Sequence, residues 1–217
     1  MTARTASSPS GTATGTRTRE IEHPYFSKFA PLIFVLIWSS GFIGAKYGLP
    51  YAGPFIYLAL RMSAACLLMV GLALITKGAW PKTWAEAGRY SVSGLLLHVA
   101  YLGGVFYAIS EGMSAGLSAL VVGLQPILVA IFAQRTVGES VTRRQWLGLL
   151  LGFAGVAVVV IERMRSNGGF HGSTSLAADI AIVIALFGTT AGTIYQKKFG
   201  ANMPLASGTA IQYGTTA

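Results

Sequence analysis

The sequence predicts an all-α integral membrane protein: six transmembrane helices plus a partial seventh, forming a first five-helix repeat and the start of an inverted second repeat. Three observations carry this expectation. Of 217 residues, 53% are hydrophobic and only 11% charged, against roughly 25% charged in an ordinary soluble domain. Apolar runs of membrane-crossing length recur at 31–49, 54–76, 90–110, 114–133, 144–161 and 177–196, and a seventh opens near Pro204. The connections between these runs are too short to hold a separate soluble domain. Finally, residues 190–197, at the end of the sixth run, echo residues 39–46 of the first.

Residues 1–28 open with "MTARTASSPSGTATGTRTRE", rich in Thr, Ser, Ala and Gly and without an apolar period. They are expected to form a disordered cytoplasmic tail. No signal-peptide layout follows, because the next apolar stretch is too long for an h-region and lacks a small-residue cleavage site. The first span places Trp38, Ser39, Ser40 and Phe42 at mid-depth, with Lys46 near the outer end, where a long side chain can snorkel to water. The second begins at Pro54 and carries Arg61 seven residues on, roughly 10 Å along a helix rising 1.5 Å per residue. That arginine either pairs inside the bundle or meets an anionic solute group. The single cysteine, Cys66, lies in the same span, so no intrachain disulfide can form.

Span three carries His98 near the bilayer midplane, where ionisable groups are costly and tend to be functional. It is either a proton carrier or a neutral histidine bonded to a neighbouring helix. Tyr101 is expected one turn on, on the same face. Span four opens after a tight turn at Glu111 and Gly112, with Ser114, Ala115, Gly116 and Ser118 giving a small-residue face and Ser114 starting the helix. Pro126 further on removes the bond to the Val122 carbonyl beside the polar Gln125, marking either a kink or a cavity wall. Span five follows Thr142-x-x-Gln145, a capping-box pattern, and its Gly148, Gly152 and Gly155 are expected to let a neighbour approach closely. Glu139 and the adjacent Arg143 and Arg144 read as a solvated or headgroup cluster. Span six contributes Thr190 and Thr193.

A net charge of +9 invites a nucleic-acid reading, but position argues for topology instead. With the N-terminus inside, the cytoplasmic segments hold Arg4, Arg17, Arg19, Lys28, Lys77, Lys82, Arg89, Arg135, Arg143, Arg144, Lys197 and Lys198, which is 12 of 16 basic residues. Only Lys46, Arg61, Arg163 and Arg165 lie elsewhere, the asymmetry of the positive-inside rule. The expected partners are therefore the lipid bilayer and a small-molecule solute, with no nucleic acid.

"GMSAG" at 112–116 matches the G-x-S-x-G elbow of serine hydrolases. That motif needs a strand before the serine and the partners in the order serine, acid, histidine. The only aspartate is Asp179, and His23, His98 and His171 all precede it. No H-E-x-x-H and no paired intramembrane aspartates occur either. An intramembrane enzyme is disfavoured, and no catalytic residue, metal or cofactor is expected.

A shift of 151 residues places Gly41 on Gly192, Ile43 on Ile194, Lys46 on Lys197 and Ser39 on Thr190, and a one-residue adjustment puts Pro54 on Pro204. With five spans before the 162–176 loop, the two segments enter the membrane in opposite senses, the inverted repeat of many secondary transporters.

These residues, with "IWSSGFIGAKYGL" (37–49), "AISEGMSAGLSALVVGLQPILVAIFA" (108–133) and "GESVTRRQWLGLLLGFAGVAVVV" (138–160), resemble the drug/metabolite transporter superfamily, EamA-like branch. The resemblance covers most of 31–200. It implies five helices duplicated in inverted orientation, in an exporter or exchanger of small metabolites in the bacterial inner membrane. On that pattern residues 29–161 form the first repeat and 162–217 a loop and an incomplete second one, leaving a truncated, non-transporting fragment as the rival reading. The expected solute pathway runs between the first span and spans three and four, lined by Trp38, Ser39, Ser40, His98, Tyr101 and Gln125, with Thr190 and Thr193 facing it and Arg61 near its outer end.

Overall fold

The computed structural model describes residues 24–136, 138, 141–166 and 175–217, without the side chains of residues 24–28, 31, 135, 160, 163, 164 and 166. The first 23 residues, Glu139, and the stretch 167–174 with His171 lie outside the described residues. Among the described residues every regular element is a helix. We number these α1 (Pro24–Gly48), α2 (Pro54–Ile75), α3 (Trp84–Ser110), α4 (Ala115–Val122 and Gln125–Thr136), α5 (Arg143–Ser166), α6 (Leu176–Phe199) and α7 (Leu205–Thr216). The chain divides at Ile37/Trp38 into two units, and all packing described below lies within Trp38–Ala217.

Four of these helices are long and apolar enough to cross a membrane: Pro54–Ile75, Trp84–Ser110, Ala115–Gln134 and Leu176–Phe199. Leu32–Gly48 is a shorter apolar helix. Of the six expected spans, four are matched in this way. Their outward faces carry Leu67, Leu68, Ile75, Ile180 and Ile184, all exposed. An apolar exterior on helices whose backbone bonds are all internal is what lipid requires.

Element boundaries follow local chemistry. The third span starts at Trp84, six residues before the expected 90, because Thr83 caps it: its hydroxyl accepts the Glu86 N–H at 3.2 Å, while the Glu86 carboxylate accepts the Lys82 N–H at 2.8 Å. Helix α1 likewise begins at Pro24, before the expected 29. The turn leaving α3 is a Schellman motif: Gly112 takes φ +95°, its N–H bonds the Ile109 carbonyl, and the Met113 N–H bonds the Ala108 carbonyl. Only glycine adopts that φ without strain. Ser114 then starts α4, accepting the Leu117 N–H at 3.2 Å. The serine of the apparent elbow is thus a helix cap. Thr142 and Gln145 form the expected capping box at α5, with the Thr142 N–H on Gln145 Oε1 at 2.8 Å.

The regular winding of α4 is interrupted at Gly123–Leu124. Pro126 is the second residue of the segment that follows. A first-turn proline lacks only an N–H that the helix would leave unbonded anyway, so the strain expected of a mid-helix proline does not arise.

The packing centres on α6. It lies antiparallel against α3 and also contacts α4, while α7 packs on α2 and α3. Small residues set these contacts. A methyl carbon at Gly104 would sit 2.7 Å from the Ala181 carbonyl oxygen, and one at Gly188 would sit 2.7 Å from the Ala100 Cβ. At Gly94 it would meet the Gln212 carbonyl oxygen at 2.7 Å. Close backbone approach of this kind drives helix association where lipid removes the hydrophobic force. The expectation for α5 is overturned, since Gly148, Gly152 and Gly155 have nothing within 4 Å of an added methyl. Their face is open because α5 packs only lightly, on α4. Around the tight α3–α6 seam lies an apolar core that includes Phe42, Ala45, Leu58, Met62, Val105, Phe106 and Ile182.

Candidate functional site

The middle of α3, Leu95–Gly103, winds as a π-helix. Its i→i+5 bonds widen the turn, an arrangement common at functional sites. This changes where His98 and Tyr101 point. Three residues no longer make nearly a full turn, and the expected shared face is lost. Tyr101 is 6% exposed and stacks on Trp38 of α1, ring centroids 6.2 Å apart and planes 15° apart. His98 instead packs its ring on Tyr213 of α7 at 4.9 Å.

Both imidazole nitrogens of His98 are buried and have no hydrogen-bond partner among the described residues. The Gln212 amide approaches the ring, yet its Nε2 is directed at the Met203 sulfur, 3.5 Å away. A buried polar group without a partner typically costs about 1–3 kcal/mol. Such a group asks for a function. Arg61 stands within electrostatic reach of both His98 and Tyr101. It is exposed, makes no ion pair among the described residues, and lies over the Phe106 ring at 5.9 Å.

A second polar contact crosses between α4 and α6. Gln125 is the first residue after the break in α4, and its Nε2 donates to the Thr193 hydroxyl at 2.8 Å. Thr190 is not brought to this pair. It is buried and donates to the Leu186 carbonyl of its own helix at 2.7 Å. Ser39 and Ser40 lie on an exposed stretch of α1, as does Lys46 beyond them. The structure therefore joins the expected residues as two separate pairs, Trp38 with Tyr101 and Gln125 with Thr193, with His98 between α3 and α7.

Gln212 and Tyr213 were absent from the sequence-derived set. Their signal was the same one that drew attention to His98 and Gln125, polar side chains well inside an apolar run. Gln212 is 4% exposed, eight residues beyond Pro204.

Apolar helices long enough to cross a bilayer, joined by short turns and seamed by small residues, define a multi-pass membrane protein. Polar side chains facing one another inside that bundle join its helices, as at Gln125 and Thr193. The chain belongs to the EamA-like transporter family, whose model matches residues 28–161, and with it to the drug/metabolite transporter superfamily. It is 32% identical over 171 residues to "Uncharacterized transporter YvbV" of Bacillus subtilis, covering 78% of this chain and 53% of that protein. It is 28% identical over 167 residues to the "Probable amino-acid metabolite efflux pump" of Escherichia coli, covering 77% of this chain and 52% of that one. The chain thus spans about half the length of these curated relatives. No solved structure matches it.

Proposed function

We propose that this chain is the first repeat and the opening of the second in a secondary transporter that moves small metabolites across the bacterial inner membrane by alternating access. The observation that carries the reading is His98, whose two imidazole nitrogens are buried and have no hydrogen-bond partner among the described residues, set in π-helical turns at mid-span. Ionisable groups at that depth mark proton or substrate paths. In this reading His98 takes up and releases the coupling proton, while Trp38 and Tyr101 offer an aromatic wall and Gln125 and Thr193 a polar one. Arg61, Ser39 and Ser40 line the approach, and Thr190 stands behind the polar wall. No residue acts as a catalyst.

The reading takes the two segments as an inverted repeat. Under the 151-residue shift α2 corresponds to α7, and these two helices pack on each other, as equivalent helices near a pseudo-twofold axis do. A proline stands at the start of each: Pro54 is the first residue of α2 and Pro204 the N-cap of α7. The relative named as an amino-acid metabolite efflux pump suggests amino acids and their derivatives as solutes and export as the direction.

The test is efflux of radiolabelled amino acids from proteoliposomes holding the product of the complete reading frame, across a range of pH. Wild-type protein is expected to release at least one amino acid faster under an imposed proton gradient than without it. Unchanged transport and unchanged pH dependence in His98→Ala, at equal protein level, would remove the proton role.

A further inference from the structure

At the end of the bundle where α3 begins and α6 stops, a pocket of about 250 Å³ is lined by Glu86, Arg89, Tyr90, Lys198, Phe199 and Asn202. We propose that it binds a phosphate-bearing anion at the membrane interface. This site is separate from the mid-span residues and stands or falls without the transport reading.

The two cations are held, not free. Arg89 and Lys198 come from different helices and converge on one ring, Phe199, at 5.7 and 5.4 Å from its centroid. Tyr195 packs against that ring at 4.7 Å and fixes its place. A guanidinium lying on an aromatic face still presents its N–H edge, the edge that pairs with phosphate oxygens. Neither cation has an ion pair among the described residues. The one carboxylate in the lining, Glu86, already accepts the Lys82 N–H at the start of α3. Positive charge therefore exceeds negative in the pocket. The Asn202 side chain adds a neutral donor.

Depth supports the assignment. The pocket sits at the ends of two helices long enough to cross a bilayer, Trp84–Ser110 and Leu176–Phe199. Trp84, 94% exposed, stands at the same level, where tryptophans mark the headgroup layer. A volume near 250 Å³ is roughly eight times the ~30 Å³ share of one water, enough for a phosphate group and part of its ester.

The shared chemistry could be met by a lipid phosphodiester or by a soluble phosphate, and the experiment has an arm for each. The full chain is placed in phosphatidylcholine nanodiscs with added phosphatidylglycerol, and retained phosphatidylglycerol is read by native mass spectrometry. The same nanodiscs without it are titrated with inorganic phosphate. Wild type is expected to retain one of the two, and Arg89→Gln/Lys198→Gln to bind it roughly thirtyfold more weakly, at about one surface-cation contribution per residue. Lys46→Gln/Arg165→Gln removes the same charge from two other helices, at residues outside the pocket, and should change nothing. Phosphatidylglycerol retained against excess phosphate identifies a lipid site, and displacement by phosphate a soluble-anion site. Equal loss in both double variants would overturn the proposal, as would no loss in the Arg89/Lys198 variant while its helicity and melting temperature match wild type.

Discussion

The side chain of His98 makes a prediction opposite in sign for stability and for transport. Two buried nitrogens without partners among the described residues are a standing cost, so an apolar residue of similar reach should stabilise the fold. His98→Leu is expected to raise the midpoint of thermal unfolding in detergent while abolishing the pH dependence of efflux, a trade typical of functional sites. A lowered midpoint would mean that the imidazole is a packing residue. The Gln125–Thr193 contact allows a cleaner measurement, since it is a single hydrogen bond of 2.8 Å between α4 and α6. A double-mutant cycle with Gln125→Leu and Thr193→Val should give a coupling near 0.6 kcal/mol, and at most about 1.7, the range for side-chain bonds inside membrane bundles. Zero coupling would mean that the pair does not join the helices.

Among the helices, the tight seam is α3 with α6 and not the glycine stripe of α5. Gly104→Ala and Gly188→Ala each force a methyl against backbone or a Cβ at 2.7 Å, and are expected to cost about 1–3 kcal/mol, as overpacking does. Gly152→Ala meets only open space and should be neutral or stabilising by up to about 1 kcal/mol through helix propensity. Resistance to unfolding by sodium dodecyl sulfate orders the three variants; equal loss at all three would refute the seam. Glycine content alone did not separate these sites, because the periodicity of small residues is the same whether or not a partner lies opposite. What was legible was whatever is written locally: the apolar runs, the Ser114 cap, the Thr142 capping box. Arrangements that depend on a partner were not. The ring of Tyr213 on α7 against His98 joins segments far apart in the chain, and neither that contact nor the π-winding that parts His98 from Tyr101 has a local signal.

For the molecule as a whole, the imbalance of basic residues predicts a cytoplasmic N-terminus and an outer loop after α5. In a background lacking Cys66, a cysteine at Asn167 should react with an impermeant maleimide added from the periplasmic side and be spared by one confined to the cytoplasm; the reverse pattern would invert the topology. The α3–α6 seam also carries a consequence for biogenesis. Gly104 meets Ala181, 77 positions later in the chain. At roughly 5–20 residues synthesised per second, the groove on α3 waits some 4–15 s for its filler to leave the ribosome. During that interval it must be sheltered by the insertion machinery or left facing lipid with no helix in the cleft. A nascent polypeptide ending at residue 161 should accordingly stay crosslinked to the insertase or be degraded in a pulse-chase, whereas one ending at 199 should be released into the bilayer.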